Sequence, residues 1–180
     1  MKEDYFDFIG LNIYELKKKN GLIIDTNILL LYIVGKFDIE WIKKFSRTEK
    51  YSVEIFSIID WLISFYNKHI YISPQIISEL SNISPEASKK NNKDVEIVIE
   101  YFKVFKEILM KVFFEKYIHK DKILNFPYLY KYGVTDLSIY KLAKDNNYLV
   151  VTDDFRLSNY LNKNNVTSIN IQPIIPIFKK

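Results

Sequence analysis

Four carboxylates fall where short apolar runs end or helices begin: Asp25 after Gly21-Leu22-Ile23-Ile24, Glu79 within Pro74 to Leu80, Asp136 after Gly133-Val134-Thr135, and Asp154 after Val150-Val151-Thr152-Asp153. Carboxylate oxygens are hard donors, so a cluster of them suits Mg²⁺ or Mn²⁺ rather than a soft metal. Asp25, Glu79, Asp136 and Asp154 are therefore the candidate catalytic and metal-ligating residues, with Asp25 and Asp136 as principal ligands. Asn27, Thr152 and Asp153 stand beside them and are expected to orient the carboxylates or a bound phosphate. The chemistry this predicts is hydrolysis at phosphorus: one ion acidifies a water and a second, about 4 Å away, stabilises the leaving oxygen.

The elements needed to gather these acids follow from the pattern around them. Leu22 to Asp25, His69 to Ser73, Tyr148 to Thr152 and Thr167 to Ile171 read as short buried strands. Between them lie helical patterns at Ile28 to Val34 (stopped near Gly35), Ile39 to Phe45, 53 to 67, Ser73-capped Pro74 to Ile83, Asp94 to Ile118, Asp136 to Asn146 and Phe155 to Leu161, with Asn125 to Gly133 irregular. Residues 1 to 20 read as a short helical or irregular lead-in, with Phe6, Phe8, Ile9, Leu11, Ile13, Tyr14 and Leu16 able to pack on the body. Strands alternating with helices predict an α/β fold, three-layer α/β/α with a central, mostly parallel sheet.

In such a sheet the acids return to one edge. Helix 136 to 146 descends about 16 Å, and strand 148 to 152 climbs back about 16 Å. Asp25 ends its own strand at that edge, and Glu79 reaches it from a turn and a half into its helix. Taken singly each acid also reads as a cap or a solvated charge. The joint placement is what points to a site.

Composition narrows the alternatives. The chain has 180 residues, 48% hydrophobic and 27% charged, as expected of one soluble globular domain spanning 1 to 180. It has no cysteine and two histidines, His69 and His119, which excludes a cysteine-bound zinc and leaves little room for a paired-imidazole nuclease. Its four glycines permit neither a Walker loop nor a Gly-x-Gly-x-x-Gly fingerprint. No serine-hydrolase elbow is present, and Asn27 stands where an aspartyl-phosphate phosphatase would place a second acid. The net charge of +4 is carried almost wholly by lysine and favours a polyanionic partner only slightly. The start of the chain has no signal-peptide pattern, and the longest apolar run, Ile28 to Val34, is too short to span a bilayer, so the expectation is a cytoplasmic protein with no membrane partner.

Asp25-Thr26-Asn27, Glu79 in Pro74-Gln75-Ile76-Ile77-Ser78-Glu79-Leu80, Gly133-Val134-Thr135-Asp136 and Thr152-Asp153-Asp154 resemble, in order, the four motifs of PIN-domain nucleases. The resemblance covers residues 21 to 172, and the usual Thr-x-Asp form of the fourth motif maps Asp154 onto the ligand. It implies a metal-dependent endoribonuclease with RNA as substrate, either the toxin of a toxin-antitoxin or defence system, held by an inhibitory antitoxin protein, or an RNA-processing enzyme. The alternative is a catalytically weak PIN-like module that binds RNA or scaffolds a complex, and a lesser one is cleavage of DNA. A scaffold has no need to keep repelling carboxylates close, which favours the enzyme. The apolar face of helix Asp94 to Ile118, with Val95, Val98, Phe102, Phe105, Leu109, Val112 and Phe113, offers a homodimer contact or a seat for an inhibitor.

Overall fold

The computed structural model describes residues 12–85 and 92–178. Five short strands, β1 (Leu22–Ile24), β2 (Ile70–Ile72), β3 (Phe114–Glu115), β4 (Leu149–Thr152) and β5 (Ser168–Asn170), form one sheet in the order β3-β2-β1-β4-β5. Every pairing is parallel, with Leu22 opposite both Ile70 and Leu149, and Ile24 opposite Val151. The helices are α1 (Ile13–Lys17), α2 (Thr26–Phe37), α3 (Trp41–Lys44), α4 (Val53–Tyr66), α5 (Pro74–Ile83), α6 (Asn92–Val112), α7 (Lys120–Leu124), α8 (Leu129–Asn146) and α9 (Phe155–Lys163), followed by a 3₁₀ stretch, Gln172–Phe178. The architecture is α/β with an all-parallel sheet, consistent with three layers. No helix among the described residues is long and apolar enough to cross a membrane.

Strand order decides where a ligand can enter. From β1 the chain moves outward to β2, whereas from β4 it moves the other way to β5. Right-handed crossovers then send the following helices to opposite faces and leave a crevice between the carboxyl ends of β1 and β4. Asp25 directly follows β1, and Asp153 and Asp154 directly follow β4.

The core explains the order. Helix α2 is buried almost all round, from Ile28 to Val34, because it packs against α4, α5 and α6. A smaller cluster of Ile123, Leu137 and Tyr160, edged by Phe126, Leu129, Tyr132 and Tyr140, sits under the α8–α9 side.

Several expectations are corrected. Gly35 does not stop α2: the helix runs to Phe37, and Gly35 is where the ring of Phe56 lies against the backbone with no room for a Cβ. The long helix ends at Val112, not Ile118, because the next residues pair with β2 as the edge strand β3, where the Lys116 N–H reaches Ile72 O at 2.8 Å. Its buried positions are Tyr101 and Ile108, while Val95 is exposed. Tyr14 is also exposed, although Leu16 is buried as expected. Residues 125 to 133 are not wholly irregular, since α8 begins at Leu129 and breaks at Gly133, whose φ of 77° and ψ of 177° suit glycine alone. The lead-in before Asn12 lies outside the described residues.

Candidate functional site

At the carboxyl edge of β1, each oxygen of Asp25 is held. The Thr26 N–H donates to Oδ1 at 2.7 Å and the Thr152 hydroxyl donates to Oδ2 at 2.5 Å. Thr152 in turn accepts from the Asp154 N–H at 2.9 Å, so one buried hydroxyl ties the end of β4 to the end of β1. Next along α2, the Thr26 hydroxyl donates to Glu79 Oε2 at 3.1 Å and brings α5 to the same edge. The N-cap of α5 meets the part of α8 that follows Gly133, where the buried hydroxyls of Ser73 and Ser138 lie 3.0 Å apart and Ser138 donates to Thr135 O at 2.7 Å. That contact sets the first turn of α8 proper, with Asp136, beside the helix that carries Glu79. Between the two helices is a shallow, open hollow of about 380 Å³ lined by Gln75, Ser78, Glu79 and Thr135, Glu79 being the one expected acid in its lining.

The fields of the acids overlap. Burial is the main reason the Asp25 carboxyl is pushed up to about 6, with the charges of Asp153 and Glu79 adding to it against the two hydrogen bonds. Asp136 is pushed up to about 7, first by burial and then by the charges of Asp25 and Asp154, with Arg156 opposing. No hydrogen-bond donor contacts the Asp136 carboxylate among the described residues, and the Arg156 guanidinium stands 4.0 Å from it and 3.8 Å from Asp154 Oδ2. Asp25, Glu79 and Asp154 thus lie close enough to Asp136 for their charges to act on it. Among the described residues, however, no three acidic or histidine side chains close on a common point as a ready-made metal cage.

Three of the four have distinct local roles as well, Asp25 being the N-cap of α2 through its bond from the Thr26 N–H. Asp154 caps α9, its Oδ1 accepting from the N–H groups of Arg156 and Leu157 at 2.6 and 3.0 Å, so the plain cap reading holds for that oxygen. Glu79 is exposed and accepts only from Thr26 among the described residues.

Asp153 faces elsewhere. Its Oδ2 accepts from the Tyr51 hydroxyl at 2.7 Å and from Lys50 Nζ, and its Oδ1 accepts from Asn27 Nδ2 at 3.3 Å. Burial, followed by the Asp153 charge, pushes the Tyr51 hydroxyl far above its ordinary range, so it remains a proton donor. Lys50, Tyr51, Thr26 and Arg156 were not singled out from sequence. Lys50 and Tyr51 lie on an irregular connection with no motif to flag them, whereas Thr26 sits inside the Asp-Thr-Asn run and Arg156 is one of two arginines in the chain.

The histidines are not part of this edge. His69 precedes β2, at the opposite end of the strand, and His119 pairs with Asp121. The chain matches no protein-family model, and neither the curated proteins nor the solved structures compared with it give a match.

Proposed function

We propose that this chain is a PIN-like, metal-dependent endoribonuclease that hydrolyses RNA phosphodiester bonds at the β1–β4 edge. The observation that carries the reading is the set Asp25, Glu79, Asp136 and Asp154 at a topological switch point, where burial and mutual repulsion raise two carboxyl pKa values and Arg156 is the one cation within ion-pair range among the described residues. Uncompensated carboxylates at a crevice are the charge pattern that a divalent cation relieves.

The donor set fits Mg²⁺ or Mn²⁺ in its chemistry, being all oxygen. Asp25 and Asp136 would hold the ion, with the exposed Glu79 and with Asp154 Oδ2, the oxygen not used to cap α9, completing the set. When bound, such an ion supplies Lewis-acid stabilisation of charge on phosphoryl oxygens and acidifies water. The chain's own contributions are orientation and charge. Thr152 and the Thr26 N–H fix the plane of the Asp25 carboxylate, and Arg156 presents a guanidinium where a phosphate oxygen would approach Asp136 and Asp154. With neither histidine at this edge, the paired-imidazole route through the ribose 2′-hydroxyl is not built there, so water is the expected nucleophile and 5′-phosphate and 3′-hydroxyl ends the expected products.

Incubation of purified protein with RNA and single-stranded DNA under Mg²⁺, Mn²⁺ or chelator tests this. Cleavage that persists in excess chelator, or 2′,3′-cyclic phosphate ends, overturns it. The same reading carries an inhibitory protein partner and a dimer contact on α6; of the face expected there, Phe102, Phe105, Leu109 and Val112 pack against the core and Val95 is exposed, and light scattering of the isolated protein decides the dimer.

A further inference from the structure

Beside the acid edge the first turn of α8 and one face of α9, from Phe155 to Lys163, line a cleft of about 550 Å³. Its lining differs in kind from that of the acid edge. Lys131, Arg156 and Lys163 supply three cations, Tyr132 and Phe155 supply rings, and no carboxylate lines the cleft. On α9, Arg156, Asn159, Tyr160 and Lys163 follow the i, i+3, i+4, i+7 spacing that puts side chains on one helix face. Tyr132 packs on the buried Tyr160, which also lines the cleft, centroid to centroid 4.4 Å, and Lys131 and Arg156 lie over the Tyr132 ring at 5.4 and 5.6 Å from its centre, so a base stacking there takes their place as they turn to its flanking phosphates. Neither Lys131 nor Lys163 is in an ion pair among the described residues. Arg156 belongs to both places, since it also reaches Asp136 and Asp154.

We infer that this cleft is a subsite for an unpaired RNA strand, seating a nucleobase against Tyr132 and Phe155 while Lys131, Arg156 and Lys163 hold the flanking phosphates. The choice of RNA rests on the nuclease reading above; the stacking and charge arguments do not. Aromatic rings and cations lining one cleft are the combination by which proteins hold single strands, because every base offers a π-face and every linkage a charge. A duplex cannot use it, since its base faces are covered. The cleft volume lies within the roughly 300–1,000 Å³ usual for ligand pockets. Continuity through Arg156 puts the seated nucleotide next to the linkage that would lie over Asp136.

The test is binding in EDTA, where cleavage is silent, using labelled strands of about ten nucleotides: an unpaired oligoribonucleotide, the same sequence in a duplex, and a ribose-phosphate strand lacking bases. The expected result is a loss on the order of tenfold for Tyr132→Ala and for Phe155→Ala on the unpaired strand only, with Tyr132→Phe close to wild type. Lys163→Gln should weaken all strands and flatten the salt dependence by about 0.7 in log–log slope. Phe155 is mostly exposed, so its removal keeps the test open if Tyr132→Ala fails to fold. Equal binding of wild type and both alanine variants, an equal loss on the base-free strand, or duplex bound as tightly as single strand overturns the subsite. Cleavage assayed in parallel separates the two ideas. Ring-dependent binding without any metal-dependent cleavage sinks the nuclease reading alone, and cleavage with ring-indifferent binding sinks the subsite alone.

Discussion

Asp153 and Asp154 are adjacent in sequence, yet they point into two regions built on opposite terms. On the Asp153 side every charge is answered: Lys50, Tyr51 and Asn27 all donate to one buried carboxylate. On the cleft side Asp25, Asp136, Glu79 and Asp154 face one another with Arg156 alone among the described residues to offset them. Both regions hang from the same strand end, so burial alone does not account for the difference. A buried charge with complete hydrogen bonding is a structural device, whereas a cluster left short of positive charge stays costly until something binds.

The largest effect should come from breaking the open side. Asp25→Asn and Asp136→Asn are expected to lower RNA cleavage by more than about a hundredfold, since losing even a residue that merely orients a ligand costs roughly 10- to 100-fold. The same variants should melt at or above wild type in chelator, because each removes one member of a repelling set. Cleavage at the parental rate, or unfolding, would make these acids plain caps.

Breaking the answered side should do the reverse. Asp153→Ala leaves the Tyr51 hydroxyl buried without an acceptor and Lys50 without its partner, which is expected to cost about 3 kcal/mol by urea titration. If stability is unchanged while cleavage collapses, Asp153 belongs to the open set after all.

What could be foreseen divides along the same line. Asp25, Glu79, Asp136 and Asp154 were legible because each sits at a boundary of a short buried strand or a capped helix, and parallel α/β geometry then leaves them one edge to share. Ser73-Pro74 announced α5 to the residue. The answers to Asp153 were not legible: Tyr51 lies 102 positions away on an irregular connection, and no period ties it to β4. Strand β3 was hidden for a different reason, since two exposed edge residues after a long amphipathic helix carry no alternation of their own. The tyrosines around the aromatic cleft come from two segments joined only by packing, although the spacing of Arg156, Tyr160 and Lys163 was there to be noticed.

Gly133 separates the two halves of α8, the aromatic turn before it and the Asp136 turn after it. A Cβ there would meet nothing within 4 Å, so Gly133→Ala tests backbone conformation without a clash. With φ at 77°, the expected cost is about 2 kcal/mol. The loss should appear in cleavage as well as melting, because straightening the break moves Asp136 relative to Glu79. Full activity in the alanine variant would mean that the open side tolerates misplacement and is less dependent on geometry than the comparison holds.

The smallest effect is the most direct measure of the imbalance. Asp25 and Asp136 are pushed up to about 6 and about 7, so in the metal-free folded state they bind protons more tightly than in the unfolded chain. Stability then falls as pH rises, since the folded state carries the extra protons throughout that interval. Their contribution is fully present below the ordinary carboxyl range and is lost as pH climbs through about 7. The two acids titrate as a pair, each raised in part by the other, so the steps belong to the pair and the separate gains do not simply add. Unscreened, these values would give about 4 kcal/mol between about pH 5 and 8, and with the coupling of the pair and solvent screening at this open edge a loss of about 1 kcal/mol is expected in chelator. The slope should vanish in the Asp25→Asn, Asp136→Asn double variant and should reverse when Mg²⁺ is present, because the ion binds the deprotonated carboxylates and only in the folded state. Asp153→Asn should leave most of it. A flat profile for the wild type would mean that the open acids are already compensated, and the contrast between the two sides of Thr152 would be lost.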